Sequence, residues 1–239
     1  MAVNKEKYRD IIGELGEQAQ LVAVSKTKPV EDIQALYDLG QRDFGENYVQ
    51  ELVEKQLLLP ADIRWHFIGH LQSNKVKLIA PFVHLIHGVD SQKLLKEIDK
   101  QAERNNRVIH CLLQVHIALE ETKFGFDAKE LGDLMGGGLG RGMRSELGDR
   151  LGDQMASQPG DFQHIKVSGF MGMASFTGDM TKVREEFSGL KSLFDKWFPE
   201  PEAILSMGMS GDYLLAIAEG SNMVRIGSLL FGERNYPKP

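Results

Sequence analysis

Lys26 is the residue whose type and position point most directly to covalent chemistry. It ends the run LVAVSK (21–26), which is typical of a short β-strand. Since alternate side chains of a barrel strand point inward, Val22, Val24 and Lys26 would share the inner face. A lysine at the end of such a strand is partly desolvated, which favours the neutral amine that forms a Schiff base. A solvated lysine at a strand end is the alternative, and the pattern alone leaves it open.

Two turns rich in glycine and serine follow the last two predicted strands. They contain Ser206, Gly208 and Ser210 in one case, and Gly227 and Ser228 in the other. Backbone N–H groups and hydroxyls at a helix start bind phosphate, and glycine lets the backbone approach the anion closely. The loops after strands seven and eight are the usual phosphate site of (β/α)8 barrels. The pair of turns therefore indicates a phosphate site, with two ordinary strand-to-helix turns as the alternative.

Arg225 is predicted to lie on the inner face of the last strand, together with Met223 and Gly227. An arginine in a barrel mouth is costly unless it is paired with an anion or donates to a ring acceptor. A structural ion pair would also satisfy it.

Short β-like runs alternate with helical patterns along almost the whole chain. The strands are predicted at 21–26, 42–47, 64–69, 84–89, 108–117, 165–174, 203–208 and 223–227, and the helices near 30–39, 47–58, 72–80, 91–104, 128–156, 180–196 and 211–219. Eight strands alternating with helices predict an α/β fold, a single (β/α)8 barrel domain over residues 1–239, whose chemistry lies at the carboxyl ends of the strands. An open doubly wound sheet is the alternative, but no G-x-G-x-x-G motif follows any strand.

Residues 132–160 do not fit this alternation. ELGD occurs at 130–133 and again at 146–149, and three consecutive glycines lie at 136–138. Each glycine weakens a helix by about 1 kcal/mol. The segment is predicted to be an insertion-like broken helix or surface loop after the fifth strand.

Composition narrows the function classes. The chain has 34 acidic and 28 basic residues and a formal charge of −6, which argues against a nucleic-acid partner. Cys111 is the only cysteine, so a reducing compartment and a buried apolar role are expected. There is neither a signal-peptide pattern nor an uninterrupted apolar run of 18 residues, so the protein is predicted to be cytoplasmic, without membrane contact. The histidines lack metal-ligand spacing, and no metal site is expected.

Seven motifs, in order and spanning nearly the whole chain, show a family resemblance. They lie at 22–29, 44–51, 66–75, 123–126, 169–174, 206–210 and 224–232. They resemble the pyridoxal phosphate homeostasis protein family, whose members are single-domain relatives of the N-terminal barrel of alanine racemase. The fold implied is a fold type III barrel without the second β-domain of the racemases. The extra length at 132–160 departs from the family pattern.

The resemblance implies a site for pyridoxal 5′-phosphate (PLP), bound covalently to Lys26. It implies that Asn47 lies beside the cofactor ring and that Arg225 faces the pyridine nitrogen. The phosphate would be held by the two turns described above. The implied cofactor-binding residues are Lys26, Asn47, Ser206, Gly208, Ser210, Arg225, Gly227 and Ser228. No catalytic residue is expected.

A non-catalytic role in PLP homeostasis follows from this arrangement. An arginine facing the pyridine nitrogen keeps it unprotonated, which weakens the electron sink of PLP chemistry. Racemases of this fold type also have an arginine there, so Arg225 alone leaves catalysis open. Two-base racemisation needs a second acid–base group. Only seven residues follow Gly232, so the domain that supplies this group in racemases is not expected. Tyr48 could donate a proton, although packing or helix surface suits it better. We therefore expect a monomeric carrier of vitamin B6 that delivers PLP to apo PLP-dependent enzymes.

Two other functions remain open at this point. One is an amino-acid racemase-like PLP enzyme, completed by a dimer partner. The other is a barrel enzyme that binds another phosphorylated metabolite through a Schiff-base lysine. Lys123, in a predicted mouth loop, is a hypothetical secondary docking point for PLP, and a solvated loop lysine is the alternative.

Overall fold

Eight parallel strands close into a barrel in the computed structural model, which describes residues 3–118, 124–135 and 162–232. The strands are β1 (Gln20–Val24), β2 (Asp43–Glu46), β3 (Arg64–Phe67), β4 (Leu85–Val89), β5 (Ile109–Val115), β6 (Ile165–Gly172), β7 (Ile204–Ser206) and β8 (Met223–Ile226). Each strand pairs with the next along the chain, and β8 pairs with β1. The predicted (β/α)8 fold and all eight strand positions are confirmed.

Helices cover the outside of the barrel. The described residues form α1 (Lys5–Leu15), α2 (Val30–Tyr37), α3 (Val49–Leu58), α4 (Val76–Ile79), α5 (Gln92–Arg104), α6 (Ala128–Leu134), α7 (Met180–Trp197), α8 (Tyr213–Ala218) and α9 (Ser228–Phe231), with a 3-10 turn at Ser73–Lys75. The segment before β1 is held against the last helix by a hydrogen bond from the Asn4 N–H to the Leu230 carbonyl, at 2.9 Å. The sequence pattern did not indicate α9.

Period-two alternation in the strands separates two apolar regions. Inside the barrel, Val22 packs with four other buried side chains: Leu85, Leu112, Met171 and Met223. Ala23, the next residue of β1, belongs instead to the larger core between the strands and the helices. The predicted inward positions of Val22 and Met223 are therefore confirmed. Residues two positions further along the same strands lie nearer the barrel mouth.

The predicted helix at 128–156 begins as expected. Asp127 caps α6 through a capping box with Glu130, and the helix extends to Leu134. The remainder of the glycine-rich segment, from residue 136 to 160, lies outside the described residues.

Among the described helices, none combines the length and the apolar character that crossing a bilayer requires.

A β-bulge in β6 fixes the geometry of the barrel wall beside β5. Cys111 pairs with Val167 and Leu112 with Gly169, so Ser168 is the additional residue. Gly169 has φ +148°, and a Cβ at this position would lie 1.9 Å from the Ile204 carbonyl oxygen on β7. The contact is with backbone, so it cannot be relieved by a side-chain rotation.

We expect Gly169→Ala to lower the free energy of unfolding by about 3 kcal/mol or more, because the methyl group overlaps a strand carbonyl at a φ that disfavours alanine. Gly13→Ala is the matched control: Gly13 lies within α1 with open space around it, and there alanine should add about 0.5 to 1 kcal/mol. Urea unfolding of both variants measures the difference. Equal stability of the two would contradict the bulge geometry.

Candidate functional site

The turn that contains Lys26 follows β1 at the carboxyl end of the barrel. The Ser25 N–H donates to the Gly45 carbonyl at 3.0 Å, and the Lys28 N–H donates to the Ser25 carbonyl at 3.0 Å. Thr27 has φ +62°, in the left-handed region. Lys26 is half-buried. These contacts place it in a defined turn at the mouth rather than in an extended strand.

A buried charged network fixes both neighbours of Lys26. We call Ser25, Thr27, Glu46, Glu51 and Lys55 the lysine network. The Lys55 ammonium donates to Glu46 at 2.7 Å, to Glu51 at 2.6 Å and to the Ser25 carbonyl at 2.8 Å. The Ser25 hydroxyl donates to Glu46 at 2.6 Å, and the Thr27 N–H donates to Glu51 at 2.6 Å. Residues 25 and 27 are thus held by one ammonium and two carboxylates on the helix side of the barrel.

The carboxyl of Glu46 is the electrostatically sensitive member of this network. It is fully buried, and burial raises its pKa to about 7 although Lys55 and Ser25 donate to it. Its second oxygen, Oε2, has no hydrogen-bond partner within the part of the chain that the structure describes. The sequence analysis did not identify this network, because its charged residues resemble solvated helix and strand-end positions.

Arg225 lies inside the barrel at the mouth, as predicted from alternation with Met223. It is only 5% exposed, and it is aligned with Val22 across the β1–β8 pair. Its guanidinium donates to the Ser206 hydroxyl at 2.6 Å, to the Ser206 carbonyl at 2.9 Å and to the Gly172 carbonyl at 3.0 Å. Burial lowers the pKa of Arg225 to about 10, against the opposing charge of Asp212. The group is a desolvated cation held by uncharged acceptors.

A line of buried polar side chains continues from Arg225 down the barrel axis. We call Arg225, Ser206, His87, His66 and Asp43 the histidine network. The Ser206 hydroxyl lies 3.3 Å from His87 Nδ1, His87 Nε2 lies 2.9 Å from His66 Nδ1, and His66 Nε2 lies 3.0 Å from Asp43 Oδ1. The sequence analysis assigned these histidines no role. The available signal was a polar side chain at an inward position in the middle of β3 and of β4.

The two glycine- and serine-containing turns meet beside β1. The Gly227 N–H donates to the Ser210 hydroxyl in a long hydrogen bond of 3.4 Å. A Cβ on Gly227 would lie 3.3 Å from the Val24 Cβ, and Gly208, with φ +96°, packs against α8. The helices that follow, α8 and α9, have six and four residues. These turns therefore offer backbone N–H groups and hydroxyls rather than the dipole of a long helix.

Ser206 and Asn47 differ in how their side chains are engaged. The Ser206 hydroxyl is fully buried and contacts Arg225 and His87. Asn47 directly follows β2 on the mouth rim, and its buried Oδ1 makes no hydrogen bond to the described residues. An unsatisfied buried oxygen of this kind costs about 1 to 3 kcal/mol, which a donor on a ligand would recover.

The histidines at the opposite end of the barrel form a group that residue spacing did not reveal. Asp43, His66 and His84 each place one potential metal-ligand atom within 4.8 Å of the others. The same Asp43 carboxylate already accepts hydrogen bonds from two of the three guanidinium nitrogens of Arg64. A metal cation there would have to displace this arginine, so we assign the group to an ion pair.

Two other residues singled out in the sequence are placed as follows. Cys111 is fully buried, as expected, and burial raises the pKa of its thiol well above the ordinary value. Lys123 lies outside the described residues.

Comparisons with known proteins give consistent similarities over the chain. A family model described as the N-terminal domain of alanine racemase matches residues 2–235. A pyridoxal phosphate homeostasis protein from Aquifex aeolicus (strain VF5) is 39% identical over 222 residues, covering 91% of this chain and 88% of that protein. The protein of the same name from Escherichia coli (strain K12) is 34% identical over 237 residues, with 95% and 90% covered.

Solved structures show the same similarity in three dimensions. PipY of Synechococcus elongatus PCC7942, with PLP bound, has a TM-score of 0.75 and 31% identity, covering 95% of this chain and 99% of its own. An alanine racemase from Bartonella henselae has a TM-score of 0.66 over 97% of this chain and 60% of its own. At 16% identity, that second similarity shows the fold alone.

We expect Lys55→Met to destabilise the protein by about 3 kcal/mol at pH 8.5, because it leaves two carboxylates without their buried cation. Glu46 ordinarily titrates near 4.5, and its folded pKa is about 7. Between these values the folded state binds more protons, so the wild-type stability falls as the pH rises and then levels off above 7. In the variant, the pKa of Glu46 in the folded state is higher still, so the free energy of unfolding continues to fall as the pH rises above 7. The destabilisation by Lys55→Met should therefore be about 2 kcal/mol smaller at pH 6.0 than at pH 8.5.

Urea unfolding at both pH values measures this effect. Lys191→Met is the control, since the Lys191–Asp195 pair lies on the surface of α7 and should contribute less than about 1 kcal/mol at either pH. A Lys55→Met loss that is the same at pH 6.0 and 8.5 would contradict the role of Glu46.

Proposed function

The chain belongs to the pyridoxal phosphate homeostasis protein family, within the group that shares the alanine racemase N-terminal barrel, and we propose that it holds PLP at the barrel mouth through a Schiff base on Lys26. The observation on which this depends is that Lys26, in the turn that follows β1, and Arg225, on β8, are at the same end of a pair of adjacent strands, with the Gly227–Ser228 turn beside the end of β1.

The position of Lys26 supports a covalent role. Val22 is aligned with Arg225, and Val24 packs against Gly227, so the end of β1, from which the Lys26 turn continues, lies beside the Gly227–Ser228 turn. The segment after it is tied to α9, because the Lys28 ammonium donates to the Phe231 carbonyl at 2.8 Å. An amine in this turn would be within the same pocket as a phosphate held by that turn.

The donors of Arg225 fit the ring edge of PLP. A guanidinium has five N–H donors, and the bonds to Ser206 and Gly172 use three of them. The Nε–H and one N–H of NH2 are left for an acceptor in the mouth, which suits an unprotonated pyridine nitrogen. Asn47, with its buried Oδ1, offers an acceptor on the adjacent rim.

The phosphate is assigned to Ser210, Gly227 and Ser228, with Gly208 providing the close turn. These residues offer hydroxyls and backbone N–H groups, which are the usual ligands of a phosphate in this fold. Ser206 was also placed in this set by the family resemblance. Because its hydroxyl is occupied by Arg225 and His87, we assign it to the support of Arg225.

The biological role we propose is non-catalytic PLP homeostasis in the cytoplasm, with delivery of PLP to apo PLP-dependent enzymes by a monomeric carrier. The names of the relatives from Aquifex aeolicus and Escherichia coli support the homeostasis role. The cationic environment that Arg225 provides for the ring nitrogen supports the lack of catalysis, because it weakens the cofactor as an electron sink.

Borohydride reduction of the PLP-loaded protein should leave a pyridoxyl group on Lys26, located by peptide mass spectrometry. Lys26→Arg, which keeps the charge but cannot form an imine, should be colourless and unlabelled. Lys28→Ala is the matched control and should still be labelled at residue 26, because its ammonium contacts the α9 carbonyls. A wild-type protein that stays colourless with excess PLP, or a label on another lysine, would overturn the proposal.

The non-catalytic role is tested by proton exchange at the substrate α-carbon. When the PLP-loaded protein is incubated with L-alanine or L-serine in deuterated water, we expect the α-proton to be retained over hours, as followed by NMR. Tyr48 is 56% exposed at the start of α3 and is not positioned by packing. Exchange at enzymatic turnover rates, on the order of 1 per second or faster, would favour the racemase-like alternative.

A further inference from the structure

We propose that His66 and His87 are positioning residues for Arg225: they hold it through a hydrogen-bond series of fixed direction that spans the barrel from Asp43 to the mouth. The effect on the cofactor rests on the proposed function, since it assumes that Arg225 faces PLP. The direction of the series can be tested without the cofactor.

One arrangement of protons gives every donor and every ring nitrogen of the histidine network a partner, and it is read from the two ends of the network. Arg225 can only donate, and it donates to the Ser206 hydroxyl at 2.6 Å. That hydroxyl therefore gives its own proton to His87 Nδ1, at 3.3 Å. At the other end, the ionised carboxylate of Asp43 can only accept, so His66 Nε2 must carry a proton.

The middle of the network follows from its ends. His87 Nδ1 is an acceptor, so a neutral His87 carries its proton on Nε2 and donates to His66 Nδ1 at 2.9 Å. His66 Nδ1 is then an acceptor, which agrees with a proton on its Nε2. Both imidazoles are neutral Nε2–H tautomers, and each ring nitrogen in the series has one partner.

The charges around the series oppose an added proton near the mouth. Burial holds the pKa of His87 well below its ordinary value, reinforced by the charges of His66, Arg225 and His84 when they are positive. Although burial alone would raise the pKa of Asp43, hydrogen bonds from His66 and Arg64 hold it well below its usual range. The groups that face the two histidines are therefore Asp43 on β2, Arg64 on β3, His84 directly before β4, Ser206 on β7 and Arg225 on β8.

Reversal of the series would disturb Arg225 directly. If His87 Nδ1 were protonated, the Ser206 oxygen would face two donors, His87 and Arg225, and its own proton would need another acceptor. The hydroxyl oxygen has two lone pairs, so the Arg225 nitrogen, now 2.6 Å from it, would share that oxygen with a second donor. The histidine tautomers thus decide whether Ser206 accepts from Arg225 alone and keeps an acceptor for its own proton.

Other inward positions of the barrel carry apolar side chains, and apolar residues could also have occupied the positions of the histidine network. Val22, Leu85 and Leu112 occupy other inward positions. Replacing a buried polar group by a packed apolar one is often neutral for stability. A positional role explains why these inward side chains are histidines: their hydrogen bonds lead to the guanidinium at the mouth.

The first test uses cofactor-free protein labelled with nitrogen-15. Long-range nitrogen–proton NMR correlation at pH 8 should show His66 and His87 as Nε2–H tautomers. An Nδ1–H tautomer at either residue would overturn the inference, whatever happens to PLP binding.

The second test separates the two bonds of His87 by substitution. Asparagine places an amide oxygen near the Nδ1 position and can still accept from Ser206, whereas glutamine places an amide nitrogen near the Nε2 position and keeps only the bond to His66. We expect His87→Gln to weaken PLP binding by about tenfold or more and to shift the pH midpoint of the visible PLP band. His87→Asn should stay closer to the wild type in both respects.

His110→Gln is the control, because His110 is an exposed histidine of β5 that contacts Ser168 at 2.9 Å and lies outside the network. It should leave affinity and spectrum unchanged. If His87→Gln also binds PLP with the wild-type affinity and spectrum, or if His87→Asn and His87→Gln are equally impaired, the positioning role is wrong. A wild-type protein without any visible band would instead refute the proposed function and leave the tautomer result to stand alone.

Discussion

The burial of the Arg225 guanidinium is the constraint on which the site depends. A cation with 5% exposure must be held by acceptors that the fold supplies. The barrel provides carbonyl oxygens from two strand ends and the hydroxyl of Ser206. That hydroxyl in turn needs an acceptor, which is His87, and the requirement passes through His66 to Asp43. One buried charge at the mouth therefore requires polar side chains at inward positions through the length of the barrel.

The Lys26 turn is held by the same kind of interaction on the other face of the wall. The lysine network lies between β1, β2 and α3, and it binds both residues that flank Lys26. The histidine network lies inside the barrel and binds Arg225. Since β1 and β8 are paired, the two networks hold the backbone on both sides of Lys26 and the guanidinium of Arg225 from opposite faces of adjacent strands.

Alternation explains which parts of the site were predictable. The position of Arg225 follows from counting along β8, and the glycine and serine turns follow from the ends of β7 and β8. Counting also placed Lys26 on the first strand, whereas it lies in the turn after β1. The prediction placed Ser206 among phosphate ligands, whereas the structure bonds its hydroxyl to Arg225 and His87. Counting gives the face of a strand on which a side chain lies, but it does not give its partner.

The sequence by itself determined the eight strands, their parallel order, the inward face of the first and last strands, and the family motifs that mark the ends of the strands. The tertiary structure alone decided which inward side chains meet. His87 and Ser206 are 119 residues apart and in strands that are not neighbours, yet they lie 3.3 Å from each other. The physical reason is that closing a sheet brings residues of one layer together across the barrel axis, and no local pattern of residue types encodes contacts across that distance.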